Sequence, residues 1–271
     1  MTTQKTVLVT GASSGIGQAT AGLLAQRGYR VFGTARDPEQ TASVPEGVEF
    51  LPLDVTLDAS VEACVDAVLE RTGRIDVLVN NAGYALVGSI EETTVREAQA
   101  IFDTNFFGAV RMTRAVLPSM RRQGEGKVIL MGVILGLIGQ PFGAYLSSTK
   151  HALEGFAESL RYEVLPAGIS VSIVEPGFAA TPAGRAMRQA HKQLDAYTPA
   201  RDLVIAKFKK DLRAGMPAER VAQVVGRIAR DKHPRLRYPV GAQASLVPRM
   251  KQLVPDRLFA SVARSAYGLP S

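Results

Sequence analysis

Thr10-Gly11-Ala12-Ser13-Ser14-Gly15-Ile16-Gly17 is the stretch on which the fold turns. It follows an apolar run at residues 6–10 and leads directly into an amphipathic stretch, so it reads as the turn between a strand and a helix. Glycines let the backbone turn tightly and approach a pyrophosphate, whose charge then rests on the helix N-terminus. The spacing is G-x-x-x-G-x-G, not G-x-G-x-x-G, and its meaning comes from the strand–turn–helix setting. Gly11, Ser13, Ser14, Gly15, Ile16 and Gly17 are therefore the candidate phosphate contacts.

Outward from this turn, short apolar runs at 6–10, 30–34, 48–53, 77–80, 127–131, 170–174 and 237–240 alternate with helical patterns at 17–27, 60–71, 95–123 and 150–165. That alternation predicts an α/β fold: a single Rossmann-like, doubly wound parallel sheet with helices on both faces. Neither a repeat nor a low-complexity linker divides the chain, so residues 1–271 are expected to form one domain. Around 178–216 the alternation breaks just after a strand end. Ligands of doubly wound folds bind at the carboxyl ends of strands, so this insertion is placed to be a substrate lid. The stretch 250–269 has apolar residues at near-helical spacing with basic ones between them, and packing on the rest of the molecule is its expected role.

A hydrophobic content of 46% with 21% charged residues is ordinary globular usage, which argues against a disordered chain. Cys64 is the only cysteine. It permits no internal disulfide and lies in a helical stretch as a packing residue, which fits a reducing compartment. No run approaches the roughly 20 apolar residues of a membrane span, and the N-terminal residues lack the pattern of a secretory signal. A soluble, cytoplasmic protein is expected, with no membrane association. The net charge of +7 is uneven: from Arg185 onward there are 18 Lys and Arg against 6 Asp and Glu, and this basic C-terminal third reads as a solvated face. Basic runs interleaved with aromatics are missing, so nucleic acid is not an expected partner, and no His, Cys or carboxylate cluster suggests a metal.

The end of the second strand discriminates between nicotinamide cofactors. A carboxylate there bonds the ribose 2′-hydroxyl of NAD, whereas an arginine accommodates the 2′-phosphate of NADP. Ala35 stands at the acidic position and Arg36 follows it, with a planar donor fork suited to phosphate. NADP(H) is the expected cofactor, with Ser13 as a further hydroxyl donor. Asp37 falls one residue too late for the NAD role and is read as a partner of Arg36.

Over nearly its whole length the sequence resembles the short-chain dehydrogenase/reductase family. The resemblance rests on the glycine loop, on Asp54-Val55 after the third strand, on Asn80-Asn81-Ala82-Gly83 after the fourth, and on Pro176-Gly177 followed by Thr181, all in the family's order. It implies that Asp54 and Val55 contact the adenine, that Asn81, Ala82 and Gly83 support the cofactor and the sheet, and that Pro176, Gly177 and Thr181 meet the nicotinamide carboxamide. It also implies a homodimer or homotetramer formed through the helices at 95–123 and 150–165.

In that family an asparagine, a serine, a tyrosine and a lysine carry the chemistry, as general acid–base and oxyanion-stabilising groups. Asn105 and Lys150 match two of these, and Lys150 also holds the cofactor ribose. The tyrosine position, four before Lys150, holds Leu146, and the serine position thirteen earlier holds Val133. Neither replacement can exchange a proton. Tyr145 is one residue out of register, which on a helix turns it about 100° from the lysine's face, so it is read as packing beside the site. Ser147, Ser148 and Thr149 are expected to cap or pack, and His151 to be structural. Three readings stay open: a reductase whose Val133 and Leu146 redirect it to iminium ions or enones, a disabled ketone reductase, and a non-redox relative that binds NADP(H) while cyclising or holding a ligand. A hydrophobic substrate suits all three.

Overall fold

Val7, Leu8 and Val9 are all fully buried, yet they face opposite ways, because successive residues of a strand point to opposite sides of a sheet. Leu8 joins a core with Phe32, Leu78, Val128 and Leu130, whereas Val7 and Val9 join a second core with Val31, Val77, Val79 and Ile129. Near-continuous apolar strands of this kind require cover on both faces. A computed structural model of the chain describes residues 4–41, 43–181 and 187–269. It contains the strands β1 (Thr6–Val9), β2 (Arg30–Ala35), β3 (Val48–Pro52), β4 (Val77–Asn80), β5 (Gly126–Met131), β6 (Ile169–Pro176) and β7 (Arg237–Val240). They form one parallel sheet of order β7-β6-β5-β4-β1-β2-β3. The fold is a Rossmann-like α/β sheet, as the alternation predicts, and all seven expected strands are in it.

Helices α1 (Gly15–Gln26), α2 (Asp58–Thr72), α3 (Val95–Phe102), α4 (Gly108–Gln123) and α5 (Ala144–Val164) cross between strands. They are followed by α6 (Thr198–Arg213), α7 (Ala218–Arg230), α8 (Ala242–Leu253) and α9 (Asp256–Ala266). Helices α1 and α7 cover the Val7 face through Ala21, Leu24, Val221, Val225 and Ile228, while α2, α4 and α5 cover the other through Val65, Met112, Val116, Leu153 and Ala157. The chain order reverses between β1 and β4, so their carboxyl ends open a crevice at the switch point.

Three expectations about helices need correction. The pattern at 95–123 is not one helix: α3 and α4 are separated by a wide π turn over Asp103–Phe107. Such turns insert one extra residue and commonly mark functional positions; here the turn carries Asn105, which is buried and bonded to the backbone of Tyr84. The helix expected at 150–165 begins earlier, at Ala144, which puts residues 145 and 146 on its first turn. The C-terminal stretch is two helices parted at Val254–Pro255, where Val254 is extended, as the residue before a proline favours. No residue of α9 is fully buried. Among the described residues no helix is long and apolar enough to cross a membrane.

Candidate active site

The glycine turn is held by Asn81 on the neighbouring strand end. Its Nδ2 donates to the carbonyls of Thr10 (3.0 Å) and Gly11 (2.9 Å), and the backbone N–H groups of Asn81 and Ala82 donate to Thr10 Oγ1 at 2.9 and 3.0 Å. Gly11 has φ +63°, in the left-handed region, and a Cβ there would stand 2.9 Å from Ala82 Cα. At Gly17 a Cβ would lie 2.3 Å from the Gly11 carbonyl oxygen and 2.4 Å from Asn81 Nδ2. These approaches explain glycine at both positions. Helix α1 starts at Gly15 with no side-chain cap at Ser14 and no acidic residue in its first turn. Its leading N–H groups are left for an anion.

The turn opens on a cleft of about 870 Å³ at the carboxyl ends of the strands. Gly11, Ser13, Ser14, Gly15, Ile16, Arg36, Asp54, Val55, Asn81, Ala82 and Gly83 line it, as do Pro176, Gly177 and Thr181. Gly17 is behind the loop, buried against it, and shapes the turn without facing the cleft. Arg36 is exposed at the end of β2. Asp54 Oδ1 accepts from Thr56 Oγ1 at 2.7 Å and Thr56 N at 2.9 Å; this bonding, with the charges of Arg36 and Arg111, holds its carboxyl below the usual range. Asp37 does not pair with Arg36 among the described residues. Its carboxylate accepts from Glu39 N and Gln40 Nε2 and so closes its own turn, as short acidic side chains commonly do.

At the other end of the cleft stand Asn105, Val133, Leu146 and Lys150. Lys150 Nζ donates to the Met131 carbonyl at 2.8 Å, and burial of the ammonium pushes its pKa down to about 8. Asn105 Oδ1 accepts from Tyr84 N (3.0 Å), while its Nδ2 donates to Tyr84 O (2.9 Å) and Thr149 Oγ1 (3.4 Å). Val133 is extended at the end of β5, with ψ 162°, and Leu146 is buried in a cluster with Leu86, Ile101, Ile134 and Leu135. Tyr145 packs against that cluster and is not among the residues lining the cleft. Ser147 Oγ accepts from Gln140 N, Thr149 Oγ1 donates to the Leu146 carbonyl, and His151 Nδ1 meets the Ser147 carbonyl. None of the three caps α5, whose N-cap is Gly143.

Of the expected lid at 178–216, residues 182–186 lie outside the described residues. The rest is stitched down by two short parallel pairings, Leu86–Val87 with Arg188–Gln189 and Ala179–Ala180 with Met216–Pro217. Helix α6 brings Phe208 and Leu212 to the cleft. Glu92, fully buried, receives the guanidinium of buried Arg201 from α6 and the N–H groups of Ser89 and Leu194. That bonding keeps its carboxyl below the usual range although burial alone would raise it. Sequence reasoning missed Tyr84, Met187 and Arg188, which also line the cleft. Tyr84 directly follows Gly83, and that adjacency was the available signal.

Behind Lys150, Glu154 and Glu175 are buried side by side. Arg237 Nε stands 2.9 Å from a Glu154 oxygen and 3.6 Å from a Glu175 oxygen. Burial first, then the charge of Glu154, pushes the Glu175 carboxyl up to about 8.

The model of the short chain dehydrogenase family matches residues 5–192. A 3-ketodihydrosphingosine reductase of Bacteroides thetaiotaomicron is 35% identical over 97% of this chain and 98% of its own length. The solved structure of a short-chain dehydrogenase from Streptomyces avermitilis matches with a TM-score of 0.82 at 32% identity, over 99% of this chain and 100% of that one. ElxO, solved with NADP bound, matches with a TM-score of 0.74 at 25% identity, over 89% of this chain and 99% of that one.

Proposed function

The chain belongs to the short-chain dehydrogenase/reductase family, and from that premise we propose that it is an NADP(H)-dependent oxidoreductase of a hydrophobic substrate whose acceptor does not need a proton delivered at the carbonyl oxygen. The observation that carries this reading is the pairing of a complete cofactor cradle with an apolar reaction end, where Val133 and Leu146 stand beside Lys150 and Asn105. The residues present fit the cofactor. The glycine turn lines the cleft, the uncapped first turn of α1 offers N–H donors to a pyrophosphate, and exposed Arg36 lines the same cleft at the end of β2, where it would meet a 2′-phosphate. When bound, the cofactor supplies the hydride. Gly11, Ser13, Ser14, Gly15 and Ile16 hold its phosphates, with Gly17 shaping the turn; Asp54 and Val55 flank its adenine, Lys150 takes its ribose, and Pro176, Gly177 and Thr181 orient its nicotinamide.

Val133 and Leu146 exclude water and offer no proton. An iminium ion accepts hydride without one, and a conjugated alkene accepts hydride at carbon before its oxygen must be protonated. A ketone is at a disadvantage of several kcal/mol, since one lost oxyanion donor is worth about 3 kcal/mol. NADPH oxidation is measured across ketones, enones and cyclic imines, for this protein and for Val133→Ser with Leu146→Tyr. Turnover of imines or enones by the first and ketone reduction raised by orders of magnitude in the second are the expected results. A double variant that binds NADPH but stays inert on every carbonyl favours instead a non-redox relative, one that converts or holds its ligand while the cofactor spectrum stays constant. The same reading makes residues 1–271 one domain, with 178–216 as its lid. It self-associates as a homodimer or homotetramer through the surfaces carrying Phe107, Tyr162 and Leu165, exposed by 48%, 71% and 68%.

A further inference from the structure

Arg188 is exposed, lines the cleft, and is held in register opposite Leu86 by the short parallel pairing, with its N–H donating to the Ala85 carbonyl at 2.8 Å. Its guanidinium lies over the Tyr84 ring, 4.2 Å from the centroid. Tyr84 is itself clamped by Asn105 through both backbone polar groups, and its ring packs with the apolar cluster that contains Leu146. The cation is therefore fixed on the wall of the reaction pocket.

Among the described residues Arg188 has no ion pair. The nearby carboxylates are engaged elsewhere: Asp103 pairs with Arg111 at 2.7 Å, and Glu97 takes Thr94 and the His191 N–H. The guanidinium also bonds the Tyr84 side chain, and with five N–H donors in a planar fork an arginine keeps others that suit a carboxylate or phosphate.

We propose that Arg188 is an anion-binding subsite of the substrate cleft. The substrate is an amphiphile whose apolar body lies against Val133, Leu146 and Tyr84 and whose carboxylate or phosphate group is held by Arg188. This rests on the reading of the cleft as a substrate site.

The test is calorimetric binding of decanoate, decyl phosphate and decanol, each below its micelle concentration, to the protein saturated with NADPH. At least one anion binds about tenfold or more tighter than decanol, and which anion wins identifies the head group. Arg188→Gln abolishes that preference and leaves NADPH affinity within about twofold, whereas Arg188→Lys keeps part of it. Equal affinities for all three ligands, no binding of any, or a preference that survives in Arg188→Gln overturns the proposal. So does a variant whose main loss is in NADPH affinity, since Arg188 would then serve the cofactor's own phosphates. Because the readout is binding, a silent oxidation assay leaves these outcomes interpretable.

Discussion

Gly17 leaves the least freedom of any residue in the cradle. A methyl there collides with the Gly11 carbonyl and with the amide of Asn81, both backbone or bonded groups that cannot swing away. Gly17→Ala is expected to reopen the turn, lower stability by about 1–3 kcal/mol, and weaken NADPH binding by tenfold or more; thermal unfolding with and without NADPH, together with a binding titration, checks both. Gly155→Ala, inside α5, meets nothing within 4 Å among the described residues and serves as the tolerant control. At this scale counting along the sequence was sufficient for much of the site. Leu146 and Val133 stand beside Lys150 as the motif spacing requires, and Tyr145 is turned away into packing. Tyr84 and Arg188 were not legible, because their meeting depends on which strand the insertion pairs with, and two-residue pairings leave no periodic trace in a sequence.

Among the elements, α6 is held by its buried apolar residues Val204, Ile205, Phe208 and Leu212 and by one buried ion pair. Glu92 and Arg201, exposed by 0% and 4%, tie it to the segment before α3. Removing one partner of such a pair leaves a buried charge uncompensated, a loss of about 3–5 kcal/mol. Arg201→Met is expected to spend that loss locally, so hydrogen exchange should quicken across 194–213 while β1 and β4 keep their protection. Uniformly faster exchange throughout the chain would show instead that α6 and the sheet unfold together. The inner strands were legible because they are apolar runs buried on both faces, whereas the edge strands β3 and β7 are each only partly buried. The break inside 95–123 was not, since a π turn preserves helical composition and differs by a single residue of phase.

For the molecule as a whole, the Glu154–Glu175 pair sets a pH dependence. The Glu175 carboxyl has a folded pKa raised from 4.5 to about 8, so the folded protein keeps a proton that the unfolded chain has already released. Its contribution is fully present below pH 4.5 and is lost as the pH rises through 8, at up to about 1.4 kcal/mol per pH unit. Glu175→Gln keeps the size and polarity of the side chain without a titrating proton. Its stability relative to the unaltered protein should therefore improve steadily from pH 5 to pH 8, read from urea midpoints; a difference that does not vary with pH would mean that Glu175 titrates normally.

The bonds from Asn81 to Thr10 and Gly11 span about seventy residues of chain. The nucleotide cradle is thus not a local motif that β1 and α1 alone can complete during synthesis. It exists only after β4 has docked beside β1, a non-local closure of the slow kind. A ribosome-bound chain ending before β4 would carry the whole glycine sequence and still have no pocket. Cofactor affinity in this protein is consequently a report on completed sheet assembly, and the ligand can lend its binding free energy only to a chain that has passed that step.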